Sequence, residues 1–106
     1  MCRALKVLCV APDVAVLEAL RRATVSAEWE LAPGATSETE AMARLHEERP
    51  HVLVVFGAFP GLVDRALEAS PSLRVIADRE RQGAVAVGSM DEVRAAVKGS
   101  GGPVRA

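Results

Sequence analysis

Hydrophobic and polar positions alternate between two rhythms along the chain. Residues 4–10 (A-L-K-V-L-C-V) are apolar throughout except for Lys6, which is the pattern of a buried strand. Beyond them Val14, Leu17 and Leu20 recur at helical spacing, with Glu18, Arg21 and Arg22 opposite, and Asp13 stands where a helix cap is needed. A weaker strand is expected at residues 29–32, closed by a Pro33-Gly34 turn. Ser37-Glu38-Thr39-Glu40 has the form of a capping box. In such a box the Ser37 hydroxyl accepts from the Glu40 amide while the Glu40 side chain reaches back. Met42 and Leu45 supply the apolar stripe of the helix that follows, and Pro50 stops it.

Residues 51–56 (H-V-L-V-V-F) form the strongest strand signal, β-branched and apolar on both faces. Strands of that kind belong to parallel sheets sandwiched between helices. A turn at residues 57–61 leads to a short helix over 62–69, with Leu62, Val63, Ala66 and Leu67 inward, broken by Ser70-Pro71. Further strands are expected at 73–77 and 84–87. Ser89-Met90-Asp91-Glu92 is a second capping box, opening a last helix through Val93, Ala96 and Val97 with Gly99 as its stop. One domain over residues 1–99 and a flexible tail over 100–106 are expected, with no internal repeat. The alternation predicts an α/β fold with a doubly wound, mostly parallel sheet.

One junction resists that pattern. Parallel neighbours normally need a crossover of about a dozen residues or more, usually a helix. Only residues 78–83 (D-R-E-R-Q-G) separate the fourth strand from the fifth. Either this link is a bare loop or a single turn, or the fifth strand does not lie parallel to the fourth.

Composition narrows the function classes. A chain of 106 residues builds one core, and a hydrophobic share of half excludes intrinsic disorder. With 13 basic against 14 acidic residues the net charge is −1, so no basic field draws the chain to nucleic acid or an anionic membrane. The longest uncharged apolar run, residues 52–63, is far short of a bilayer span, and residues 1–6 lack the features of a signal peptide. A cytoplasmic protein with reduced Cys2 and Cys9 is therefore expected.

Candidate chemistry is sparse. Cys9 lies mid-strand, where a thiol behaves as a small buried hydrophobe, and neither a glycine-rich anion loop nor a nearby arginine follows it. His46 and His51 have no further ligand type at metal spacing and read as solvated or edge histidines. The run at residues 99–102 (G-S-G-G) follows a helix, whereas a phosphate-cradling loop precedes one. Arg79, Glu80 and Arg81 read as a solvated loop, and Asp13 as a cap rather than a metal ligand. No nucleophile–base pair can be assembled, so no catalytic residue, metal or cofactor is expected.

The chain resembles the receiver domains of bacterial two-component response regulators over residues 4–98. In that family a strand leads to an acidic pair and a helix, echoed here by Val7-Leu8-Cys9-Val10 and Ala11-Pro12-Asp13. The family's third strand commonly follows Pro-Asp, ends in the phosphoacceptor aspartate and precedes Met-Pro-Gly. Here Pro50-His51-Val52-Leu53-Val54-Val55 leads to Phe56, with Phe59-Pro60-Gly61 at the matching spacing. The final strand and capped helix, residues 83–98, also match. The resemblance implies a flavodoxin-like, five-stranded sheet in the order 2-1-3-4-5, with the helix between strands 4 and 5 missing or reduced to a turn.

The residues that carry receiver chemistry are replaced. Phosphoryl transfer to aspartate needs a carboxylate nucleophile, a divalent cation held by oxygens, and a cation for the developing charge. Phe56 stands at the nucleophile position, and Ala11 and Pro12 at the acidic pair. The hydroxyl position falls near Asp78 or Arg79. The lysine position falls near Gly88, with Lys98 about ten residues beyond.

The resemblance thus implies a degenerate, phosphorylation-independent receiver on which no phosphoryl donor acts, working through a protein partner or as a homodimer. A small-ligand sensor is the alternative, its crevice lined by Ala11, Pro12, Asp13, Phe56, Gly57 and Gly88; a small α/β enzyme is a remoter one. Phe56 and Phe59 either form an apolar recognition patch or plug the emptied pocket. Loss of the fourth helix should bare an interaction face containing Leu67, Val75, Val85 and Val87, unless the stems of the 79–82 loop cover it.

Overall fold

In the computed structural model, which describes residues 5–26, 29–59, 61–78, 84–89 and 91–101, the apolar runs pair into one five-stranded sheet. The elements are β1 (Leu5–Val10), α1 (Val14–Thr24), β2 (Trp29–Leu31), α2 (Glu38–Glu48), β3 (Val52–Val55), α3 (Leu62–Ala69), β4 (Arg74–Ala77), β5 (Ala84–Ala86) and α4 (Asp91–Gly101). The strand order is β2-β1-β3-β4-β5 and every neighbouring pair is parallel, β4 and β5 included. No helix lies among the described residues between β4 and β5.

The short junction is consistent with chain reach. In register Val75 pairs with Ala84 and Ala77 with Ala86, so the chain must return by only two residues along β4 and move one strand sideways. That path is roughly 8 Å, and seven extended peptide units reach about 24 Å. A helical crossover is needed to cover a sheet, not to make two such short strands parallel.

Side chains of successive strand residues point to opposite faces and divide the interior in two. On one face Leu8, Val10, Leu53, Val55 and Val75 pack with Ala41 and Leu45 of α2 and Leu62 and Ala66 of α3. On the other, Val7, Cys9, Val52, Val54 and Ile76 meet Leu20 of α1 and Val93 and Val97 of α4. Burying each Val or Leu contributes roughly 1.5–3 kcal/mol, so the central strands β1 and β3, apolar on both faces, carry much of the fold. Trp29 anchors the β2 edge, its indole N–H donating to the Thr24 carbonyl at 2.7 Å. The Thr24 hydroxyl is itself buried and donates to Leu20 O at 2.6 Å.

The caps form with one shift. Asp13 accepts from the Ala15 amide at 2.8 Å and starts α1. Ser37 accepts from the Glu40 amide at 3.1 Å, but the Glu40 carboxylate accepts from the amide of Thr36, one residue before the serine. Glu92 does the same at the second box, accepting from Gly88 N at 2.8 Å. At the end of α2 the chain turns through Arg49 in the left-handed region, φ 50° and ψ 58°.

Two sequence expectations need correction here. Val14 does not join Leu17 and Leu20 on an inward face: it is 62% exposed, because the first residue of α1 stands beyond the carboxyl end of the sheet. Gly99 does not stop the last helix, which runs to Gly101; a glycine near a helix end costs only about 1 kcal/mol. The expected tail over residues 100–106 thus begins inside that helix, and residues 102–106 lie outside the described residues, as do Cys2 and residues 79–83. Among the described residues no helix is long and apolar enough to cross a membrane.

Candidate functional site at the carboxyl end of the sheet

In an open parallel sheet, ligands gather where the strand order reverses, outside the carboxyl ends of the strands. With this order the reversal lies between β1 and β3, which brings together Ala11, Pro12, Asp13, Phe56 and Gly57. Ala11 is fully buried and its amide donates to Ala35 O at 3.1 Å, stitching the end of β1 to the loop after β2. Phe56 continues the β3 pairing, donating from its amide to Val10 O at 2.9 Å.

Gly57 follows with φ +113°, a conformation that side-chain-bearing residues rarely adopt. A Cβ at this position would lie 2.6 Å from Pro12 Cδ and 2.9 Å from Pro12 Cγ. The proline ring therefore rests directly on the glycine. The Gly57 amide donates to the Asp78 carboxylate at 3.2 Å, and the Asp78 amide donates to Val55 O at 3.2 Å. The sequence marks Asp78 only as standing where a hydroxyl is expected. Its bond to Gly57 is the contact at this end that pattern reading missed, and the one signal for it is an acid placed directly at the end of β4.

The two phenylalanines do not act together. Phe56 is half-buried and packs on the α1/α4 side, whereas Phe59 is buried on the α2/α3 side. The backbone turn at Gly57 separates them, and the Phe59 ring lies against that glycine, its Cε2 3.6 Å from where a Cβ would stand. Asp13 is exposed and engaged as a helix cap, and Gly88 is exposed with its amide held by Glu92. Among the described residues, no three His, Cys, Asp or Glu side chains cluster as metal ligands do.

The expected interaction face also divides. Val75 is 2% exposed in the α2/α3 core, with Leu67 packed against the same cluster. Val87 is 7% exposed and belongs to the α1/α4 core. Val85 pairs in register with Ile76 of that second core, but it is 48% exposed. The four residues thus fall on both sides of the sheet, and only Val85 is bare. Register is the reason: Val75 pairs with Ala84 and Ile76 with Val85, so odd positions of β4 share a face with even positions of β5, and Val85 and Val87 fall on the face opposite Val75.

Cys9 is fully buried beneath α1, and its thiol donates to the Thr24 hydroxyl at 3.9 Å. Burial pushes the thiol pKa up to about 11. It is a core residue without access to a substrate. His46 and His51 lie away from this end, on the amino side of the sheet.

No family model matches the sequence, and no curated protein matches it. Solved structures do. A CheY-like response regulator receiver domain protein from Methanospirillum hungatei JF-1 superposes with a TM-score of 0.74 at 14% identity, covering 92% of this chain and 93% of that one. The signal receiver domain of an HD domain-containing protein from Pseudomonas fluorescens Pf-5 gives 0.73 at 14% identity, covering 92% and 94%. The receiver domain of the putative response regulator NarL from Mycobacterium tuberculosis gives 0.71 at 16% identity, covering 96% and 100%. The β2-β1-β3-β4-β5 sheet, with helices on both faces and none described between β4 and β5, therefore has the fold of the response-regulator receiver domains.

Proposed function

We propose that this chain is a non-enzymatic signalling module on a receiver scaffold, independent of phosphorylation and acting by contact with a protein partner or a second copy. The observation that carries this reading is the rebuilt carboxyl end. Acyl-phosphate chemistry needs an exposed carboxylate and a cation held by oxygens. At the switch point Phe56 instead turns toward the α1/α4 core, Pro12 lies on Gly57, and the Gly57 amide is bonded to Asp78. With no side-chain oxygen from Phe56, Ala11 or Pro12 at that end, a partner read by surface is the reading we favour over a small ligand.

The test is incubation with acetyl phosphate and magnesium, followed by intact mass measurement. The expected result is an unchanged mass. A stoichiometric gain of one phosphoryl group overturns the reading. Sedimentation equilibrium on the same sample then separates self-association from recruitment of a different protein.

A further inference from the structure

A second concavity lies at the other end of the molecule, on the amino side of the sheet, between the carboxyl ends of α2 and α3. It is an open cleft of about 440 Å³. Its floor includes the buried side chains of Leu45 and Leu73, and its rim carries His46, Arg49, His51 and Ser72. Among the described residues, none that lines it is acidic. Two carboxylates at the end of α2 are paired, Glu48 with Lys6 at 3.2 Å and Glu47 with Arg44 at 3.2 Å, and the exposed Glu68 precedes the lining residue Ala69.

Two rim groups are held by the backbone. Arg49 is fixed in the left-handed region at the end of α2, where glycine is the usual occupant. Among the described residues it is the only one other than glycine with positive φ. Its backbone is therefore under local strain, and the residue lines the cleft. His51 is clamped on three sides: its amide donates to Lys6 O at 2.8 Å, its carbonyl accepts from Arg74 N at 3.1 Å, and its Nδ1 accepts from the Lys6 amide at 3.0 Å. A neutral imidazole that accepts at Nδ1 carries its proton at Nε2. His51 is thus presented as a fixed N–H donor.

Cationic side chains near helix carboxyl ends complement the helix dipole, and that alone accounts for a basic residue here. It does not account for an arginine held in the left-handed region, an imidazole engaged at Nδ1 and two leucines beneath one cleft with no acid among its described lining residues. We propose that this cleft binds an amphiphilic anion, a small molecule with a carboxylate or phosphate group on an apolar body. The charged group lies against Arg49 and the histidines, and the body rests on Leu45 and Leu73. The site goes beyond the signalling reading and does not depend on it.

The test is titration of the intact chain with phenyl phosphate, with inorganic phosphate and phenol as single-feature controls, followed by amide chemical shifts. The variant is Arg49→Gly, which suits the left-handed backbone and removes the whole arginine side chain with its guanidinium. Saturable shifts around residues 45–51 and 70–73 are expected with phenyl phosphate. Inorganic phosphate and phenol should bind more weakly, and Arg49→Gly should weaken phenyl phosphate roughly tenfold or more, as loss of a charge-assisted bond does. Absence of saturation at millimolar phenyl phosphate overturns the proposal. So does equal binding by the Arg49→Gly protein, or equal binding of inorganic phosphate.

Discussion

The backbone amide of Gly57 donates to the carboxylate of Asp78 at 3.2 Å, a contact that spans 21 positions of sequence and ties the loop after β3 to the end of β4. A hydrogen bond to a charged acceptor is worth about 1.5–3 kcal/mol when buried, and Asp78 is half-buried, so the lower part of that range applies. Asp78→Ala should destabilise by about 1–2 kcal/mol in urea denaturation. Asp78→Asn keeps an acceptor and should lose less. An Asp78→Ala variant as stable as the parent would mean that the carboxylate bond contributes nothing.

Gly57→Ala tests the same turn from the other side. The new Cβ meets the Pro12 ring at 2.6 Å and must adopt φ +113°. Both effects destabilise, by about 2–4 kcal/mol together. Adding Pro12→Ala should recover the steric part and leave the backbone part, which a double-mutant cycle resolves.

Phe56→Asp places a carboxylate at the family's nucleophile position. The half-buried ring packs on the α1/α4 core, so its loss should destabilise by about 2–3 kcal/mol, less than for a fully buried phenylalanine. Mass measurement with acetyl phosphate and magnesium should still find no phosphoryl group, because Ala11 and Pro12 bring no side-chain oxygen. A stable variant that takes up phosphate would show that the old site is merely missing one residue.

Arg49→Gly should leave the fold intact and raise its stability by about 0.5–1 kcal/mol, since a left-handed conformation is nearly free for glycine. Thermal denaturation reads this directly. A lower midpoint would show that the arginine side chain stabilises the carboxyl end of α2 by more than its backbone strain costs.

Cys9 gives the stability a pH dependence. Its folded pKa, about 11, lies above the ordinary 9.0, because burial disfavours the thiolate. Below pH 9 both folded and unfolded chains hold the proton, and the contribution is fully present. As pH rises from 9 to 11 the unfolded chain releases it first, and stability should fall by about 2–3 kcal/mol. Cys9→Ser should flatten that limb of the profile, and Cys9 in the native protein should resist thiol reagents at neutral pH.

The legible part of the fold was the part written in local chemistry. The strand cores at residues 52–55 and 74–77, the Asp13 and Ser37 caps and the α3 boundaries follow from apolar runs and cap residues a few positions apart. What could not be read was relational. The pairing of Val85 with Ile76, which sends Val75 and Val85 to opposite faces, is a register, and register is set between strands. The split of Phe56 from Phe59 depends on one positive φ at Gly57. That Phe56, Ala11 and Pro12 bring no side-chain oxygen could be read residue by residue, but the bond of Asp78 to Gly57 required the fold. The basic cleft was invisible for the same reason, because Arg49 and Ser72 meet across two separate connections.

Both rims of the sheet, β2 and β5, are only three residues long. An exposed edge is the template on which foreign strands add, and a short one offers few free amides and carbonyls. Growth of the sheet from one molecule into the next is correspondingly discouraged, although its central strands are among the most aggregation-prone sequences in the chain. Such a molecule meets its surroundings through helix faces and loops, and it can hold a highly apolar interior without offering it for β-stacking into fibres.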